Sequence, residues 1–199
     1  MYKAIGFDWG GVIVASKPIV PGICEILGVK KTELLKVYYK YNHLTNVESM
    51  SYPDLWAKVI TEMGHEDKID EVRKFRETQQ TFEMDHRMLE FIDEIRSEGY
   101  KTGLLSNNTR ENGDKMRADG LHNHFDVFLI SAEIGYMKPT ADAFNILFKE
   151  LGVLPNEAVF IDDSESSLSQ AEQIGYTPIL FTGYEKLKSD LIDLGIIQS

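Results

Sequence analysis

The chain has 199 residues, 43% of them apolar, enough to bury a core as one compact domain or as one domain carrying an insertion. Its 32 acidic against 21 basic residues leave a formal charge of −11, which opposes nonspecific binding to nucleic acid and to anionic membrane surfaces. The single Cys24 excludes an internal disulfide, and no apolar stretch has the length of a membrane span or the flanks of a signal peptide.

A cytoplasmic protein with a small-molecule or protein partner is therefore expected. No segment repeats at a fixed period and no low-complexity linker divides the sequence. Residues 3–8 (KAIGFD) form a short apolar run that ends in an acid followed by Gly10 and Gly11, the pattern of a buried strand entering a tight turn. Helical spacing follows. Leu34, Leu35, Tyr38 and Tyr41 recur after Thr32; Leu55, Trp56, Val59, Ile60 and Met63 follow Ser51 and stop at Gly64; Ile69, Val72, Phe75 and Arg76 continue the pattern. From about 16 to 84 no strand is expected.

Asp85 then opens a helix with Leu89, Ile92 and Ile95 inward, closed at Gly99. Beyond it, strand-like runs at 101–106, 126–131, 158–162 and 177–182 alternate with helical stretches near 109–119, 140–151 and 164–174. Strands alternating with helices predict a parallel sheet covered on both faces, and the first strand makes it five-stranded. The helical stretch is then an insertion leaving the carboxyl edge of the sheet, where ligands bind in folds of this class.

Four strand ends carry polar residues on that expected rim: Asp8; Ser106 with Asn107; Lys138 with Pro139 beyond the third strand; and Asp162 with Asp163. Close carboxylates repel one another unless a cation joins them, so the cluster calls for a hard divalent metal, Mg²⁺ above all. A phosphoryl group in transfer is stabilised by a metal, a lysine, a hydroxyl and free turn amides. A carboxylate opposite the leaving group would form an aspartyl-phosphate.

These motifs, FDWGGVIV at 7–14, LLSNN at 104–108, KP at 138–139 and VFIDDS at 159–164, resemble those of the haloacid dehalogenase-like hydrolases, in the branch with a helical cap after the first strand. The resemblance implies an α/β, Rossmann-like core at 1–15 and 85–199, with a five-stranded mainly parallel sheet, and an all-helical cap at 16–84. It implies that Asp8 attacks phosphorus and also ligates Mg²⁺, and that Gly10 lends its carbonyl to the metal. Ser106 would bind the phosphoryl oxygens, and Lys138 would neutralise Asp8 and the phosphate. Asp163 would ligate the metal directly, and Asp162 directly or through water.

One departure stands out: the family's second aspartate, the acid and base of the reaction, is replaced here by Gly10. Loss of such a group typically removes about 10²–10⁴-fold in rate where the leaving group needs a proton. Sugar-phosphate phosphatases of this branch look similar, with glycine at that position. A phosphomutase is disfavoured, since it depends on that aspartate.

The reading is thus a Mg²⁺-dependent phosphatase acting on a small phosphorylated metabolite, as monomer or homodimer. Its alternatives are a 2-haloacid dehalogenase-type carbon–halogen hydrolase and a weakly active phosphate-binding or regulatory protein. A phosphonoacetaldehyde hydrolase would need a Schiff-base lysine among Lys17, Lys30, Lys31, Lys36, Lys40 and Lys58. Trp9 is expected near the site's mouth, against substrate phosphate or the cap, and Asn107 is a candidate phosphate donor. Tyr38, Tyr39 and Tyr41 are expected to pack the cap, with His43 as its candidate acid. Trp56 and Cys24 are expected to pack apolar surface and Ser164 to cap a helix.

Overall fold

The computed structural model describes residues 1–16, 19–46, 50–78 and 82–198. Lys17 lies outside the described residues. The strands are β1 (Ala4–Phe7), β2 (Val14–Ser16), β3 (Phe82–Met84), β4 (Lys101–Ser106), β5 (Val127–Ile130), β6 (Ala158–Asp162) and β7 (Thr177–Leu180). Five of them form one sheet in the order β5-β4-β1-β6-β7, with every pairing parallel. The expected α/β fold and strand-bearing runs are present.

The helices are α1 (Ile19–Leu27), α2 (Lys31–Tyr41), α3 (His43–Asn46), α4 (Tyr52–Glu62), α5 (Ile69–Thr78), α6 (His86–Ser97), α7 (Arg110–Ala118), α8 (Ser131–Ile134), α9 (Ala141–Leu151), α10 (Glu165–Leu168), α11 (Ala171–Ile174) and α12 (Tyr184–Asp193). Helices α6 and α12 cover one sheet face, burying Met88, Ile92, Ile95, Leu187 and Leu191 with Ile5 and Phe7. On the other face α9 packs Phe144, Leu147 and Phe148 against Phe160 and Leu105. Burying each such side chain contributes about 1.5–3 kcal/mol. Gly6 lets α9 come close: a Cβ there would stand 2.4 Å from Phe160 Cδ2 and 3.2 Å from Leu147 Cδ2.

Helices α1 to α5 surround an apolar cluster of their own, built from Ile23, Leu27, Leu34, Leu55, Trp56, Val59, Ile60 and Val72. The Ser51 hydroxyl starts α4 by accepting the Asp54 amide at 3.1 Å, with Pro53 in the first turn.

The structure corrects two expectations. Residues 16 to 84 do hold strand: β2 and β3 pair antiparallel, Val14 opposite Met84 and Ser16 opposite Phe82, at the two junctions of the helical insertion. Each is three residues long and finds its partner more than sixty residues away, too short a run for alternation to register. The expected helix at 164–174 is two short ones, α10 and α11, parted at Ser169 and Gln170.

Candidate active site

The parallel register brings the polar strand ends to one edge. Phe7 lies beside Leu104 and Ile161, and the Asp8 amide extends the ladder by donating to the Ile161 carbonyl at 2.8 Å. Ser106 and Asp162 end β4 and β6 on the same rim. After Asp8 the chain turns tightly: the Ile13 and Val14 amides both donate to the Trp9 carbonyl, and the Gly11 amide to the Val14 carbonyl. Gly11 sits at φ +78°, and a Cβ on it would lie 2.1 Å from Asp163 Oδ2. Glycine is needed there on both counts.

Lys138 is 2% exposed, and its ammonium lies 2.7 Å from Asp8 Oδ1 and 2.5 Å from Asp162 Oδ2. It also sits 5.1 Å over the Phe160 ring. Asp162 is fully buried, and its second oxygen, Oδ1, accepts the Ser164 amide at 2.9 Å. Both of its oxygens are thus engaged. Asp163 stays exposed beside it.

Burial pushes the Asp8 carboxyl up to about 6, with Lys138 pulling it down, Asp162 pushing it up, and the Trp9 amide, hydrogen-bonded to it, lowering it. Burial, then Asp162, also raise Asp163. Asp8, Asp162 and Asp163 each offer a carboxylate oxygen, all within 4.8 Å of one another. Three acids facing one lysine leave negative charge uncompensated, and an all-oxygen set of this kind fits a hard divalent cation.

Ser106 is buried at the end of β4. The Asn107 side-chain amide is engaged with the Lys138 main chain: its Nδ2 donates to the Lys138 carbonyl at 3.0 Å and its Oδ1 accepts the Lys138 amide at 2.8 Å. Gly10 faces open space, since a Cβ there would meet nothing within 4 Å. Trp9 corrects the expectation of a side chain at the mouth: its indole is 6% exposed and packs in the apolar core, and what it sends into the site is its amide.

In the insertion, Tyr38 lies tilted against Trp56 with ring centres 5.1 Å apart and Tyr41 bonds Glu62, while Tyr39 is solvent-exposed. Cys24 is half-buried against the same cluster. His43 is exposed at the start of α3, an element that meets α8. Lys30, Lys31, Lys36, Lys40 and Lys58 are all exposed, and Lys138 is the one buried lysine among the described residues.

Two features escaped sequence reasoning. Ser131 Oγ, fully buried, donates to the Asn108 carbonyl at 3.2 Å and accepts the Asn108 amide at 3.0 Å. Its signal was present, since Ser131 is the polar end of the 126–131 run. The Trp9 amide had no signal, because a backbone donor leaves no mark on residue type.

A model of the haloacid dehalogenase-like hydrolase family matches residues 2–175. The D-ribitol-5-phosphate phosphatase of Bacteroides thetaiotaomicron is 27% identical over 192 residues, 88% of this chain and 90% of that protein. The bifunctional epoxide hydrolase 2 of Mus musculus is 34% identical over 98 residues, which span 47% of this chain but 18% of that protein. A HAD family enzyme of Bacteroides thetaiotaomicron superposes with a TM-score of 0.70 at 18% identity, covering 94% of this chain and 98% of that one. A complex of that enzyme with magnesium and inorganic phosphate superposes with a TM-score of 0.65 at 19% identity, covering 94% and 99%. Likeness at such identity speaks for the fold.

Proposed function

The chain belongs to the haloacid dehalogenase-like hydrolases, and from that membership we propose that it hydrolyses a small phosphate monoester with Mg²⁺ by way of an aspartyl-phosphate on Asp8. The observation that carries this reading is the Lys138 ammonium held between Asp8 and Asp162, with Asp163 completing a compact set of carboxylates. Lys138 sits on Asp8 Oδ1, which leaves Oδ2 without that ion pair, and we take it as the oxygen that attacks phosphorus. As the Oδ2–P bond forms, the bond from phosphorus to the ester oxygen breaks and its electron pair leaves with that oxygen. Water then attacks the phosphorus, the Oδ2–P bond breaks, and inorganic phosphate departs with Asp8 restored as a carboxylate.

Asp8, Asp163 and the Gly10 carbonyl would hold Mg²⁺, with Asp162 reaching it through water. Bound there, it would neutralise charge on the phosphoryl oxygens. Ser106 and the turn amides donate to those oxygens, and Lys138 shares its charge between them and Asp8. Asp162, with both oxygens engaged, serves chiefly to hold Lys138. Gly10 brings no acid, so the leaving oxygen takes its proton from solvent or from a side chain of the cap, which we assign to 16–84; His43 is the cap's candidate. The ribitol-phosphate phosphatase relative supports a sugar- or polyol-phosphate substrate.

The test is a screen of the purified chain against sugar phosphates, polyol phosphates, nucleotides and p-nitrophenyl phosphate. Magnesium-dependent phosphate release, abolished by chelator and by Asp8→Asn, is expected. Chloride release from 2-chloropropionate without metal would overturn the reading in favour of carbon–halogen hydrolysis. Tight phosphate binding with turnover indifferent to Asp8→Asn would make the protein a binder instead.

A further inference from the structure

Lys138 reaches the carboxylates from a loop, and a loop by itself does not hold an ammonium to a fraction of an ångström. Helix α8 ends at Ile134, and α9 starts at Ala141. Lys138 is therefore in the connection between them, where no helix or sheet ladder fixes its main chain. One reciprocal pair of side-chain hydrogen bonds does, within a turn closed by the Thr140 amide on the Met137 carbonyl at 2.9 Å, and a second pair ties the flanking segments. The Asn107 side-chain amide takes both the amide and the carbonyl of Lys138, at 2.8 and 3.0 Å. In the opposite direction, the Ser131 hydroxyl takes both the amide and the carbonyl of Asn108, at 3.0 and 3.2 Å. The loop after β4 and the segment leading to Lys138 are thus laced together twice.

We propose that Asn107 is a positioning residue for Lys138: it fixes the lysine's main chain so that the buried ammonium stays bonded to both Asp8 and Asp162. The proposal rests on the phosphatase reading and replaces the expectation that Asn107 donates to the phosphate. Oδ1 already accepts from the Lys138 amide, and Nδ2 already gives one of its two hydrogens to the Lys138 carbonyl. Asn107 is half-buried, where such bonds are shielded from water. A primary amide is the side chain that matches a peptide unit in both directions. An acid would place a second oxygen against the Lys138 carbonyl, and serine is too short to reach both groups.

Displacing a catalytic group by about 1 Å can lower the rate about 10²-fold. Asn107→Ala and the isosteric Asn107→Asp are therefore expected to lower kcat for p-nitrophenyl phosphate by roughly 10- to 100-fold, with KM changed less than threefold. The effect should vanish when Lys138 is absent: adding Asn107→Ala to Lys138→Met should lower the residual rate less than twofold, because the two residues act as one unit. Multiplicative losses in the double variant, or a raised KM with unchanged kcat, would overturn the proposal and return Asn107 to the phosphate. Hydrogen exchange at the Lys138 amide supplies a readout independent of turnover, expected to quicken in Asn107→Ala. Unchanged exchange would also overturn it. If Asn107→Ala does not fold, Asn107→Asp carries the kinetic arms, and Asn107→Ser, too short to reach both groups, carries the exchange arm. A wild-type chain that hydrolyses no phosphate ester, yet shows the exchange effect, would fail the phosphatase reading and leave the clamp standing.

Discussion

The ammonium of Lys138 lies 2.7 Å from Oδ1 of Asp8, with the lysine side chain 1% and the aspartate side chain 13% exposed, so the proposed nucleophile and its neutralising charge are built as one pair. Lys138→Met keeps the volume and removes the charge, leaving Asp8 and the fully buried Asp162 without their counter-ion. Breaking a buried pair in this way costs about 3–5 kcal/mol. A lowered urea midpoint is expected together with loss of phosphate-ester turnover. A variant of unchanged midpoint would show that the lysine offsets far less charge than its distances imply.

That pair was partly legible in the sequence. Asp8, Ser106, Asp162 and Asp163 could be placed because each ends an apolar strand run, and parallel strands deliver their ends to one edge. Lys138 was legible through Pro139 after it and through its place beyond a strand. Its depth was not, since residue type says nothing of burial beneath neighbours. Asn107 was read as a donor to phosphate because an amide after a strand offers that chemistry; that its partner is a peptide unit thirty-one residues on depends on a tertiary approach. The β2–β3 ribbon was hidden for the same reason.

Gly11 tests how tightly the turn after Asp8 nests on the carboxylate edge. With φ at +78° and a Cβ destined to fall 2.1 Å from Asp163 Oδ2, Gly11→Ala forces either the turn or that carboxylate to move. The left-handed backbone alone costs about 1–2 kcal/mol. A several-fold higher magnesium requirement for turnover is expected, beyond any loss of stability. Gly28, also at positive φ but with open space around it, serves as control: Gly28→Ala should reduce stability and leave the magnesium requirement alone.

Without metal, the Asp8 carboxyl titrates near 6 in the folded chain against an ordinary value of 3.8. The folded state therefore keeps a proton that the unfolded state has already lost, and stability falls as pH rises from about 4 to about 6, then levels off. Asp163, also raised, acts in the same direction. Asp8→Asn removes the Asp8 share. In chelator, the urea midpoint of Asp8→Asn relative to wild type should climb between about pH 4.5 and about pH 6.5. Parallel midpoints across that range would show that burial does not govern Asp8. Added Mg²⁺ should stabilise the wild type above this window, where its ligands are ionised, and progressively less below it.

Gly10 offers the most direct test of the missing acid. The space around it is open, with nothing within 4 Å of a would-be Cβ, and its φ is not among the left-handed ones, so Gly10→Asp adds a Cβ without a clash and brings a carboxyl beside Asp8. If proton supply to the leaving oxygen limits turnover, an alkyl phosphate such as glycerol phosphate should gain severalfold in kcat. p-Nitrophenyl phosphate should gain little, because nitrophenolate leaves without a proton; general acid catalysis acts only where the leaving group requires one. An equal gain for both esters would place the limit in a step other than leaving-group departure. No gain for either would mean that the wild-type chain already has its acid, and His43→Gln, made in the unaltered Gly10 background, would then be expected to lower kcat for the alkyl ester while sparing the nitrophenyl one.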